Sequence, residues 1–144
     1  MTKGKQRHET ERWDGVHCTL ALERPARGVA VLRIKGHDIG EFGEAPMRAL
    51  ERCFAEDGAV ALFVDARETD GASLDVSGAW AQWLGRNRAG CSAISLLAGS
   101  RFVEITAEFV RRFAALHATM RVYTDAAAFD RAVAEAIARG RAAG

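Results

Sequence analysis

No apolar run in this chain approaches the roughly 20 residues that a membrane-spanning helix requires, so no transmembrane segment is expected. An excess of one charge is lacking too. Twenty Lys+Arg stand against 19 Asp+Glu, for a net charge of +1, and that balance offers no field for nucleic acid or an anionic membrane. Cysteine is scarce: Cys18, Cys53 and Cys91 are odd in number and show no CxxC spacing. Cys53 beside Phe54 and Cys91 just ahead of Ile94 read as buried, reduced thiols of a cytoplasmic protein. GxxxxGK[ST], GxGxxG and GxSxG are all missing, which removes the usual phosphate loops and the nucleophile elbow. His17, His37 and His117 have no metal-ligand spacing to another His or Cys, so neither zinc nor any other metal or cofactor is expected. The polar start of the chain argues against a signal peptide or lipid anchor.

What is present is the make-up of one globular domain: 144 residues, 49% hydrophobic and 27% charged. Residues 1–15 carry Lys3, Lys5, Arg7 and Arg12 against Glu9, Glu11 and Asp14. They read as a disordered charged tail, with a basic anchor for an acidic partner as the functional alternative. Residues 16–140 form the domain, and residues 141–144 a frayed end. The abundance of Ala, Arg and Gly hints at a GC-rich bacterial genome.

Within the domain, residues 17–23 partly alternate, and residues 28–35 are β-branched and apolar. Turn chemistry around Pro25 and Gly28 joins them into an antiparallel hairpin. Pro46 suits the first turn of a helix whose apolar stripe is Met47, Leu50, Cys53 and Phe54. Residues 59–65 are a nearly continuous apolar run, as in a strand buried on both faces, and a polar loop is expected over residues 66–73. Asp75 or Ser77 is available to cap a helix bearing Trp80, Trp83 and Leu84. A buried strand over 91–97 leads through Gly99-Ser100 into a helix with Phe102, Ile105, Phe109 and Phe113. After a short strand at 120–123, Thr124 or Asp125 caps a last helix that carries Phe129, Val133 and Ile137 and closes near Gly140. The fold class is α/β, of order β-β-α-β-α-β-α-β-α, with a mixed sheet of about five strands opened by the hairpin. If the opening strand lies at the sheet edge, it could pair with a second copy to form a homodimer.

Ligands of open α/β sheets gather beyond the carboxyl ends of the parallel strands. That edge collects Asp65, Glu68 and Asp70, then Ser100 and Arg101, then Asp125. The three acids could serve as hard oxygen ligands or as an acid/base pair, or simply bond loop amides and water. Ser100 and Arg101 at a helix start could hold an anion, although ordinary capping by Ser100 is the favoured account of the serine. Ser73 and Ser77 stand where a phosphate would gain from a helix dipole, or where a plain cap is needed. The aromatic set Trp80, Trp83, Phe102, Phe109 and Phe113 reads as core, with a pocket for a lipid-like molecule as the alternative.

The element order, together with Leu62-Phe-Val-Asp-Ala-Arg67, Gly71-Ala-Ser73, the Trp80 helix, Ser100-Arg-Phe-Val103 and Arg121-Val-Tyr-Thr-Asp125, resembles the STAS-like superfamily. In particular it is similar to bacterial STAS/CRAL-TRIO-like proteins, relatives of sporulation anti-sigma-factor antagonists. The resemblance spans residues 16–139. It implies a non-catalytic regulatory module that binds a protein partner and is switched by phosphorylation of a serine at a helix start. The family carries an Asp-Ser-Ser-Gly stretch there, whereas this chain has Asp70-Gly-Ala-Ser73 and, later, Ser77-Gly78. Ser73 and Ser77 are therefore positional substitutes only. The CRAL-TRIO side of the superfamily implies a lipid-like ligand between helices and sheet. A small anion-binding enzyme using the Asp65 and Ser100 regions is the remaining alternative.

Overall fold

The structure, a computed structural model, describes residues 9–143. Six strands form one sheet in sequence order: β1 (Glu9–Asp14), β2 (Cys18–Ala26), β3 (Val29–Asp38), β4 (Val60–Ala72), β5 (Cys91–Ala98) and β6 (Met120–Tyr123). β1 to β3 form an antiparallel meander, and β3 to β6 run parallel. α1 (Ala45–Asp57), α2 (Leu74–Asn87) and α3 (Arg101–Phe113) are the crossovers, and α4 (Ala126–Ala143) follows the last strand.

Sequential parallel strands joined by right-handed crossovers must carry every crossover helix on the same face. The apolar clusters agree. Leu20, Leu32, Leu62 and Ile94 on the strands meet Leu50, Trp83 and Val110 on α1, α2 and α3. α4 closes the opposite face, where Phe129 and Ala136 meet Val29, Val31, Phe63 and Leu97. The period-two alternation of β3 and β4 therefore serves two cores at once.

Four expectations need correction. Six residues of the expected charged tail, Glu9–Asp14, are a strand paired with β2, while residues 1–8 lie outside the described residues. Charged side chains suit an edge strand, and Trp13, opposite Leu20, ties this one to the core. The sheet thus has six strands, and β2 is interior, unavailable for pairing with a second copy. The last helix runs on through Ala143, so residues 141–143 continue it. The polar residues 66–72 are not loop: β4 continues through them, paired with β3 as far as Asp38 opposite Ala72. Two register shifts in that ladder absorb the extra residues of β4.

The fourth correction concerns α3. Val103, Ala107 and Val110 face the core, while Phe102, Ile105, Phe109 and Phe113 are between 52% and 59% exposed. The helix has two apolar stripes, and the one with the smaller side chains is buried. Trp80 and Trp83 do pack in the core cluster. Trp83 is enclosed, stacked on Phe54 and donating from Nε1 to Glu51 Oε2 at 2.8 Å. That bond, followed by Arg48, holds the Glu51 carboxyl below its ordinary range. The three thiols are free and buried, each pushed up to about 11, chiefly by burial.

Candidate functional site

β3 and β4 outrun β5, whose last pairing joins Ala98 to Ala66. The end of β4 therefore stands beyond the main sheet, flanked by β3 on one side and the start of α3 on the other. Gly99 makes that approach possible: a Cβ there would lie 2.5 Å from the Arg67 carbonyl oxygen. At Gly71, with φ +133°, a Cβ would come within 2.9 Å of the Phe102 ring. Three distinct features surround this extension.

The first is charged and lies on the α4 face. Asp65 is 5% exposed and opposes Arg33 in the β3–β4 register. Its Oδ2 accepts from Arg33 Nη1 at 2.7 Å, and its Oδ1 from Arg67 Nε at 2.9 Å and from the Arg67 amide at 3.2 Å. Arg67 reaches on to Asp130 of α4, and Arg33 to Glu23 of β2. The bonds to Asp130 and then Asp65 raise the Arg67 pKa. Glu68 lines the same open depression and lies 4.0 Å from Lys35. A carboxylate already held by two guanidinium partners is a poor metal ligand. Among the described residues no group of three or more His, Cys, Asp or Glu is placed to hold a metal ion.

The second feature is the start of α2. Ser73 caps it, with Oγ accepting from the Val76 amide at 3.2 Å, so neither Asp75 nor Ser77 is the cap. The Ser73 amide donates to the Asp38 carbonyl at 2.9 Å, which binds this helix end to the end of β3. Leu74 beside it is 91% exposed, and Ile39, next to Asp38, is 47% exposed. Ser77 lies one turn inside the helix and is half-buried.

The third feature is an apolar cavity of about 130 Å³ between the sheet and α2 and α3. Val64 and Leu96 line it from the central strands, and Ala107 and Val110 from α3. Of its polar lining residues, Asp38, Thr69 and Ser77 come from the strand-end side or the first turns of α2, and Thr106 comes from α3, where its hydroxyl donates to the Phe102 carbonyl.

The structure thus brings Asp65 and Glu68 together, with Arg33 and Asp130 as members that sequence reasoning missed. The cross-strand alignment of Arg33 with Asp65 follows only from the β3–β4 register, and Asp130 lies 63 residues from Arg67. The remaining candidates do not join that cluster. Asp70 pairs with His37 Nδ1 at 3.0 Å. Ser100 caps α3 by accepting from the Val103 amide, and Arg101 is exposed, 3.5 Å from Glu104. Asp125 Oδ1 accepts from the Ala127 amide at the start of α4.

No protein-family model and no curated protein matches this chain. Solved structures do. An uncharacterized protein of the DUF3478 family with a SpoIIAA-like fold, from Shewanella loihica PV-4, superposes with a TM-score of 0.57 at 15% identity, covering 78% of this chain and 91% of its own. The anti-sigma factor antagonist SpoIIAA in its unphosphorylated form superposes with a TM-score of 0.54 at 20% identity, covering 78% and 95%. The fold is that of a STAS-like domain. More narrowly, it is the SpoIIAA-like arrangement of a mixed sheet with crossover helices on its parallel strands.

Proposed function

We propose that this STAS-like domain is a non-catalytic regulatory module that binds a protein partner through the start of α2 and the adjoining end of β3. The observation that carries this reading is the placement of Ser73: it caps α2 beside exposed Leu74 and Ile39, on a fold shared with an anti-sigma factor antagonist. Exposed apolar side chains beside polar backbone suit the centre of a protein interface.

Of the two candidate phosphosites, the surroundings favour Ser73. A phosphate there would bring about two negative charges to the positive end of a helix. On Ser77 the same dianion would stand over an apolar cavity, away from the water that solvates it. The charged cluster of Asp65, Arg33, Arg67 and Asp130 supports a structural role, because each acid already has a cationic partner.

The test is quantitative capture from the source cell with the wild-type chain and the variants Leu74→Asp and Ser73→Asp. A protein held by the wild type and lost by at least tenfold with both variants is the expected result. An unchanged set of captured proteins overturns the reading, as does a small-molecule turnover that disappears with Asp65→Asn.

A further inference from the structure

Protein interiors leave few voids larger than a water molecule. The apolar pocket beneath α2 and α3 departs from this: it holds about 130 Å³ and is partly open to solvent. It arises where small side chains meet: Ala66, Gly71 and Ala72 from β4 face Ala107 from α3. Its effect shows in the middle of the sheet. Val64 and Leu96 sit on strands flanked on both sides and point toward the crossover helices, yet both are only half-buried. The exposed area lies against the void.

One end of this apolar space is polar. Asp38 is 7% exposed and lines the cavity. Its Oδ1 accepts from the Gly40 amide at 3.0 Å, while Oδ2 has no hydrogen-bond partner among the described residues. The Ser77 hydroxyl likewise has no such partner. Thr69 differs: its hydroxyl already donates to the Gly36 carbonyl and accepts from the Gly71 amide. A buried carboxylate oxygen without a donor is costly unless something supplies one.

We propose that this cavity binds a small molecule of about one aromatic ring that presents an O–H or N–H group to Asp38 and Ser77. The volume sets the body. A cavity of about 150 Å³ lined by aliphatic side chains holds benzene, so this one is of a size to accept a ring. The carboxylate sets the head, because it can only accept a hydrogen bond and therefore selects a donor.

The experiment titrates the full chain with phenol and with toluene, a ring without a donor, following methyl resonances by NMR. Phenol is expected to bind saturably at one site, shifting Val64, Leu96 and Ala107 but not Val29 and Val31 on the α4 face. Toluene should bind at least fivefold more weakly. Ala107→Leu, which fills the void, should weaken phenol at least tenfold, and Ala66→Val serves the same purpose from the sheet side should the first variant fail to fold. Asp38→Asn should erase most of the preference for phenol over toluene. Absence of saturable binding by either compound overturns the proposal. So does equal binding by wild type and a folded cavity-filling variant, or a preference unchanged by Asp38→Asn. Ser73→Asp and Leu74→Asp should leave phenol binding intact, which keeps this site separable from the protein-binding edge.

Discussion

The two faces of the sheet meet the same burial requirement in different ways. On one, three helices are each tethered at both ends by strands, and their side chains merge into a single cluster that still contains a cavity. On the other, α4 follows β6 and, among the described residues, leads into no further strand; it seals a smaller cluster around Phe129. Towards the carboxyl ends of the strands this face changes to paired charges at Arg33, Asp65 and Arg67, which α4 meets through Asp130. The pocket of about 130 Å³ is partly open, so the side chains around it forgo part of their packing contacts. Covalent tethering at both ends lets the crossover face tolerate that slack. The α4 face has only its side chains to hold it, so each of them should matter more.

Adjacent residues of β5 test this contrast most sharply. Leu97 points to the α4 cluster and is 2% exposed, while Leu96 points to the cavity and is half-buried. Leu97→Ala should cost about 3–4 kcal/mol and Leu96→Ala about 2 kcal/mol, the lower limit for such truncations. Urea denaturation of both variants measures the difference. Equal losses would mean that the crossover face has no slack.

Second in size is the Asp65 cluster. Breaking a fully buried ion pair costs about 3–5 kcal/mol. Here Arg33 and Arg67 are 47% and 35% exposed and keep Glu23 and Asp130 as partners. Asp65→Ala should therefore cost about 2 kcal/mol, and Asp130→Ala, at an exposed carboxylate, less than about 1 kcal/mol. A loss of activity without loss of stability on changing Asp65 would instead return the cluster to a catalytic role.

The strand–helix order was readable because buried parallel strands appear as nearly continuous apolar runs, as at residues 60–64 and, interrupted only by Ser95, 94–98. Composition misled at the end of β4, where Arg67, Glu68 and Asp70 read as loop. Main-chain pairing with β3 decides that segment, and bulges turn the charges outward. Periodicity misled on α3, since it finds stripes of large side chains and cannot say which of two faces meets the sheet. Asp65 was legible as a strand-terminal acid, but its partners were not, because long-range register brings them to it. The cavity left only a faint trace, a set of Ala and Gly at positions that otherwise call for larger residues.

The third test uses the thiols, all of which lie in the cluster on the crossover face. Each is raised from about 9 to about 11, chiefly by burial. Between those values the native state holds protons that the unfolded chain releases, so stability is intact below about pH 9 and falls as pH rises towards 11. Cys53 and Cys91 should each contribute on the order of 1 kcal/mol to that decline by about pH 10. Melting temperatures measured from pH 8 to 11 should fall less steeply in Cys53→Ala and Cys91→Ala. An unchanged slope would place the alkaline transition outside the crossover face.

The smallest expected effect concerns the outer stripe of α3, which belongs to neither core. Phe109 is 52% exposed and stacks on Phe113 with ring centroids 5.8 Å apart. It lies outside the buried stripe of Val103, Ala107 and Val110. Phe109→Gln forfeits that partly solvated ring contact and little else, so stability should change by less than about 1 kcal/mol. The same substitution on the inner stripe, at Val110, would bury an amide against the cavity wall and cost several times more. The ratio of the two losses tests which stripe meets the sheet. A loss of several kcal/mol at Phe109, falling as the protein is diluted, would mean that the outer stripe is covered by another molecule in solution. The inner and outer stripes of α3 would then both be buried, and only the α4 face would remain open beyond its single helix.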